Sequence, residues 1–397
     1  VAAPAIGAAG TFTRASIAYQ INSSGVMTQV SSGTFRNAHY VNGVQTFLLE
    51  NSSTNICINS DNLGAWTLVS TPTLTAGQGD IYGTTLGYNV NATGGAAVQG
   101  VVITLNAPTG NTIHGYTVCV KQGASPPTNG SKITYQDTTA PATRGQATLT
   151  WSGGLPVISA VTGRYFGFLT LTNGWFALLF QTTALTAANT HTLELDANGT
   201  ATDTGDVYFG GVMCDHFTNS CPTTIVPTTG AGASRASETL TFPHNSTPQQ
   251  RTLYAKIISV AEYGLSNSTI LSIGNSTDGQ HVRNGQGSIP PTGELSVLNN
   301  AAAASNGTAV LAGWTTGAIV EARSSGDATP KAITGLAING GAETTGNGAG
   351  IAAYGGVYGT ATFTVGGIGG AAASGSTAFL QLSSMLGVQT IATMRTA

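Results

Sequence analysis

Between residues 100 and 213 no apolar run is long. Each lasts about five to nine residues before a Gly, Pro or Asn cluster ends it: 100–106 (GVVITLN), 112–120, 145–151, 164–171, 175–181, 190–196 and 206–213. Runs of that length, evenly spaced by turn residues, predict the strands of a β-sandwich or jelly roll. None carries the 3.6-residue period that an amphipathic helix needs over two turns. The pattern continues beyond residue 235 with strand-like runs at 251–259, 269–273, 294–298, 308–311, 318–323, 331–338 and 360–365. The chain is expected to be all-β, built of tandem sandwiches.

Charge narrows the class further. Only 7% of the 397 residues are charged and the formal net charge is −3, against roughly 25% charged residues in an ordinary domain. Fifty-four glycines with so little charge would suit a disordered chain, but 41% of residues are hydrophobic and they recur in runs, which disordered chains lack. No basic stripe marks a nucleic-acid partner. No polybasic segment and no apolar window of about 18 residues marks membrane insertion. Residues 1–10 (VAAPAIGAAG) have no basic start, so they read as an arm or linker rather than a signal peptide.

The stretch 226–242 (VPTTGAGASRASETLTF) divides the chain. Pro227, Gly230 and Gly232 punctuate a loop, and Ser234-Arg235-Ala236-Ser237 follows. The same phrase stands near the N-terminus as Thr13-Arg14-Ala15-Ser16. Three bodies are expected: a small β module over 1–82, a sandwich over 83–228 and a second sandwich over 229–397. In so uncharged a chain, a repeated arginine predicts a structural role. Arg14 and Arg235 are expected to turn inward at junctions, capping carbonyls or pairing with a carboxylate, with Glu50 and Glu238 the nearest candidates by sequence. The planar five-donor guanidinium suits this as lysine does not.

Catalytic chemistry is sparse. Phosphate loops, the His-Glu-x-x-His pattern, the EF-hand and the Gly-x-Ser-x-Gly elbow are absent from the sequence. Six histidines (39, 114, 191, 216, 244 and 281) show no ligand spacing. Neither a metal nor a cofactor is expected. Glu194 and Asp196 alternate onto one strand face at roughly 6.5–7 Å, a spacing that glycosidase carboxylates share; an ordinary polar face gives the same pattern and is the preferred reading. Cys214 and Cys221 bracket Asp-His-Phe-Thr-Asn-Ser, which reads as a disulfide-closed loop or as two unlinked thiols; a partial metal site with His216 is the lesser alternative, since four convergent ligands are not visible. Trp314, Tyr354 and Tyr358 are candidates for stacking on a sugar ring. Trp175, beside a turn leading into an apolar strand, reads as core.

Scattered residues carry a resemblance. Phe12-Thr13-Arg14-Ala15-Ser16, Tyr19, Gly25, Leu48-Leu49-Glu50, Thr54-Asn55, Asn59-Ser60 and Trp66 resemble the opening module of bacteriophage virion proteins of the head-spike-fibre and tail-fibre kind. Tyr116–Lys121, Asn173-Gly174-Trp175-Phe176, Val207-Tyr208-Phe209-Gly210 and Pro227–Gly230 are similar to the carbohydrate-binding-module-like sandwich that follows in that family. Val365-Gly366-Gly367 is similar, more weakly, to a laminin-G or concanavalin-like sandwich. The match covers about two thirds of the chain in short pieces. Val212-Met213-Cys214, Asn51-Ser52-Ser53 and the Gly/Ala-rich C-terminal body depart from it. The resemblance implies a non-enzymatic virion component, a fibre, spike or capsid-decorating protein with an adhesive role. It would be a homotrimer assembled in the host cytoplasm among other virion proteins and meeting a host-surface glycan. A secreted or surface carbohydrate-binding protein and a glycan-cleaving enzyme are the alternatives.

Overall fold

A computed structural model describes residues 10–50, 52–105, 113–186, 189–215 and 223–242, and beyond them 251–258, 268–274, 279–284, 295–301, 304–306, 318–326, 333–347, 363–365, 367–368, 371–372, 376–386 and 391–396. Strands dominate. Among the described residues the helical elements are two 3-10 turns, Leu63–Ala65 and Thr172–Gly174, and one short α-helix, Ile391–Thr396. The all-β reading therefore holds.

The chain divides into two compact units, each discontinuous in sequence. One takes residues 1–17, 30–52 and 236–397; the other takes 18–29 and 53–235. The expected division into 1–82, 83–228 and 229–397 differs from this. The opening 82 residues are shared between the units. Their strands are short, and several obtain burial by pairing with strands far away in sequence, Thr11–Thr13 with Thr239–Phe242 and Val44–Glu50 with Ser376–Leu386.

The unit spanning 53–235 is a two-layer sandwich. One layer runs Leu155–Thr162, Ala142–Ser152, Ser131–Asp137, His191–Asp196, Gly100–Leu105 and Thr67–Val69 in spatial order. The other is built around Arg164–Thr170, Trp175–Gln181, Gly115–Gln122 and Thr204–Asp215, with Thr73–Gln78 and Gly87–Thr93 extending it. All the pairings given within this unit are antiparallel. Period-2 alternation sends Ile133, Tyr135, Leu193 and Leu195 of the first layer inward. There they meet Tyr116, Val118, Val120, Leu178, Phe180, Val207 and Phe209 of the second. Trp175–Gln181 is buried along its whole length. The Trp175 indole is fully enclosed and donates Nε1–H to the Gly79 carbonyl at 3.0 Å, so its expected core position is the observed one.

Among the described residues the other unit carries a small two-stranded sheet, Gly367–Ile368 with Ala371–Ala372, and two seven-stranded ones. In one, Val44–Glu50 pairs with Arg36–Val41 on one side and with Ser376–Leu386 on the other, Phe47 opposite Phe379 and Glu50 opposite Ser376. The order continues through Arg251–Ile258, Ile319–Gly326, Ile333–Ile338 and Thr344–Asn347. In the second sheet Thr11–Thr13 lies at the edge beside Thr239–Phe242. Thus Thr11–Thr13 joins one of the large sheets of the body that the C-terminal sequence builds, and Arg36–Val41 with Val44–Glu50 joins the other. Asn42 and Gly43 both take positive φ (48° and 83°) in the hairpin between Val41 and Val44. This is the two-residue turn that Asn-Gly favours, and it fixes the register of Val44–Glu50. Phe47 stacks on Phe379 at 4.7 Å and leans on Phe35 at 5.4 Å.

Truncating Phe47 removes the stacked ring that joins the N-terminal strand to Ser376–Leu386. We expect Phe47→Ala to cost about 3–5 kcal/mol and Val44→Ala, on the exposed start of the same strand, to stay within about 0.5 kcal/mol. Denaturant midpoints with unchanged slopes check this; equal effects at the two positions would contradict the pairing.

Candidate functional site

Four charges are buried together in the unit that holds the N-terminal strands. Arg14 follows Thr11–Thr13, Arg36 opens Arg36–Val41, Glu50 ends Val44–Glu50, and Glu238 immediately precedes Thr239–Phe242. All four are buried. Arg36 donates from Nη1 to Glu50 Oε2 at 2.6 Å, from Nε to Glu238 Oε1 at 2.9 Å and from Nη2 to Glu238 Oε2. Arg14 donates from Nη1 to Glu238 Oε1 at 2.5 Å and from Nη2 to the carbonyls of Val30 and Ser31. Its Nε–H reaches the Ser16 carbonyl at 2.7 Å. The Glu50 amide donates to Glu238 Oε2 at 2.7 Å, and the Glu238 amide to the Glu50 carbonyl at 3.0 Å.

Two positive and two negative groups make the cluster neutral, which is what allows burial. Burial alone would lower the Arg36 pKa; Glu238 and Glu50 outweigh it and raise it. His39, on the same strand, is held neutral, its pKa lowered to about 3 by burial first and by the Arg36 charge second, against Glu50. Arg14, Glu50 and Glu238 stand among the residues singled out from the sequence. Arg36, which bridges the two glutamates, does not. Its local setting, Arg-Asn-Ala-His-Tyr-Val, reads like any strand start with a solvated arginine.

Arg235 lies in the other unit. It ends Ala233–Arg235, a strand paired with Ser53–Asn55. It is buried, and its Nη1 donates to Thr224 Oγ1 at 3.0 Å. The ion pairs of Glu238 run to Arg14 and Arg36. The two matching phrases thus place their arginines against different partners. Cys214 is buried beside Cys57, whose thiol pKa burial raises, with Cys214 adding to it. His216, Cys221, Trp314, Tyr354 and Tyr358 lie outside the described residues.

The enzyme-like pair takes an unexpected form. Glu194 and Asp196 do share the outer face of His191–Asp196, but Asp196 is almost fully buried beside Gly100, where any side chain would collide with its carboxyl. Burial and, next, the neighbouring Glu194 raise the Asp196 pKa to about 8; Lys132 only partly offsets this.

A different constellation surrounds a shallow cleft of about 430 Å³ in the unit spanning 53–235. Its walls are Tyr19 from Ala18–Ile21, Met27, Thr28 and Gln29 from Met27–Val30, Asp61 from the turn before Leu63–Ala65, Tyr82, Thr84 and Leu86 from one loop, and Pro227. The loop is shaped by Asp80, whose carboxylate accepts the amides of Tyr82 (2.9 Å), Thr84 (2.7 Å) and Leu86 (3.1 Å) together with the Thr84 hydroxyl. A carboxylate closing its own turn in this way is the usual work of Asp in loops. The Met27 amide donates to the Ile81 carbonyl at 2.8 Å, tying the hairpin to that loop. Asn59, at φ 52°, turns the chain so that Asp61 faces the cleft; asparagine tolerates the left-handed region better than most residues.

Within the cleft the Tyr19 and Tyr82 rings meet edge to face at 5.8 Å and 62°. The Tyr82 hydroxyl donates to Asp61 Oδ1 at 3.2 Å. Among the described residues no lysine, arginine or histidine lines the walls. Burial, reinforced by the Asp80 charge and opposed by the Tyr82 hydrogen bond, raises the Asp61 pKa to about 7. The sequence gives no local signal for this site: Tyr19, Asp61 and Tyr82 come from three separate turns and strands, each ordinary in its own context. Among the described residues no group of three or more His, Cys, Asp or Glu is placed to hold a metal ion, and no helix is long and apolar enough to cross a membrane.

Arg36→Met should cost about 3–5 kcal/mol, because it leaves two buried carboxylates short of the cation that bridges them. Arg36→Lys should recover little of that, since one ammonium cannot reproduce the forked contacts. Wild-type denaturant stability in Arg36→Met would contradict the bridging role. For Asp196, the unfolded chain releases the proton near pH 4 and the folded chain keeps it to about pH 8. Between those values the folded state holds the extra proton, so stability falls as pH rises. Asp196→Asn should therefore gain about 1–3 kcal/mol on the wild type at pH 8 and little at pH 4. A gain equal at both pH values would show that Asp196 is not the titrating group.

Compared with known proteins, the chain matches no protein-family model and no curated protein.

Proposed function

We propose that the chain is a non-enzymatic structural component of a bacteriophage particle, a fibre, spike or capsid-decorating protein that contributes to attachment. One observation carries the reading furthest. The pieces that resemble phage virion proteins include Arg14 and Glu50, and both serve the buried charge cluster that ties the N-terminal strands into a sandwich. The resemblance is therefore to framework, as expected of a module whose task is to hold shape. The low charge supports the same reading. A chain with 7% charged residues has few charges with which to protect strand edges against edge-to-edge association, and subunit contacts in a homo-oligomer, a trimer in our reading, would cover such edges.

The test is particle composition. Particles banded by density from a lysate of the host that carries the gene are analysed by quantitative mass spectrometry, and bands are probed with antibody to the recombinant chain. A constant copy number per particle, divisible by three, is expected. Recovery of the chain only from the soluble fraction, with none on particles, would overturn the proposal.

A further inference from the structure

We propose that the cleft between Tyr19, Tyr82 and Asp61 binds a hydroxylated ring, a pyranose of a surface polysaccharide. The proposal deepens the attachment reading above and rests on it for the source of the sugar. The chemistry follows from the walls. A pyranose presents an apolar face of C–H groups and an equatorial rim of hydroxyls. Tyr19 and Tyr82 offer aromatic surface for the face, with exposed Leu86 and with Pro227 beside them. Asp61, Thr28, Gln29 and Thr84 offer a carboxyl, an amide and two hydroxyls to the rim. A few polar groups converging on an apolar wall, in a cleft of about 430 Å³, is the usual composition of a small-ligand site.

The carboxyl decides between ligand classes. Asp61 has the Tyr82 hydroxyl as its hydrogen-bond donor, and among the described residues no cationic one lines the cleft with it. It is thus an acceptor with unused capacity, able to take two sugar hydroxyls at once. Ionised, it accepts more strongly than neutral groups do. The titratable neighbours are Tyr82, Tyr19 and the buried thiols of Cys119 and Cys57, whose pKa values burial raises, and Asp80, which is committed to its loop. Asp61 is then the group that changes charge near neutrality, and sugar affinity should rise from pH 6 to pH 8 as it ionises.

The test uses the full chain on an array of oligosaccharides ending in glucose, galactose, mannose or N-acetylglucosamine, followed by calorimetric titration with the best of them. Tyr19→Ala should weaken binding about tenfold, the loss of roughly one aromatic contact. Asp61→Asn should abolish the rise with pH. Gln29→Ala, at an exposed position, should weaken binding without touching the fold and so guards against variants that merely unfold; melting temperatures are compared throughout. Binding to none of the sugars, or binding unchanged in both Tyr19→Ala and Asp61→Asn, would overturn the proposal. So would binding of choline or methylammonium with no binding of sugars. A chain found on particles that binds no sugar fails this proposal alone; a chain that binds sugar through the cleft but is missing from particles fails the attachment reading alone.

Discussion

Arg36 is the residue on which the N-terminal half of one unit depends. It has no solvent exposure, and its guanidinium joins Glu50 at the end of one strand to Glu238 at the start of another, while Arg14 completes the set from a third segment. An isolated buried charge is costly, and a pair often does no more than break even against a well-packed apolar replacement. The contribution of such a cluster is therefore better sought in specificity than in raw stability. The guanidinium donors find their acceptors at fixed places on other segments, so strands that approached in another register would bury unmatched charge. Non-local strands with little charge and many glycines otherwise have few features to distinguish one register from the next.

Much of the fold class could be read from residues alone, because strand length and alternation are local properties. The run 190–196 shows its inward leucines and outward polar residues in the sequence itself, and Asn42-Gly43 announces its hairpin. Partner choice is not local. Nothing in Val-Gln-Thr-Phe-Leu-Leu-Glu says that Phe47 will stack on Phe379, since a period-2 pattern identifies a buried face without naming the strand beside it. That is why the opening residues read as a module of their own while the structure distributes them between two units. The charge cluster was half legible. Repetition pointed to Arg14, and proximity to Glu50 and Glu238, but Arg36 sits in a segment with no repeat and no unusual neighbour.

The same distinction separates the two places where chemistry could reside. Glu194 and Asp196 stand out in sequence because alternation aligns them, yet burial beside Gly100 and the neighbouring Glu194 charge turn Asp196 into a proton-holding group. The cleft around Asp61 is invisible in sequence because its walls come from a hairpin, a turn and a loop that only tertiary structure assembles. What fixes it is again hydrogen bonding of a simple kind. Asp80 collects the amides of its own loop, the Met27 amide docks the hairpin on the next carbonyl, and Tyr82 is left to face Asp61 and Tyr19.

The central structural claim is that the N-terminal strand Val44–Glu50 is an interior member of a sheet completed by Ser376–Leu386. Native-state hydrogen exchange read by mass spectrometry tests it most directly. If the claim is right, amides of both strands are protected together and lose protection at the same denaturant concentration, as one cooperative unit does. Fast exchange over residues 44–50 while 376–386 stays protected would contradict it.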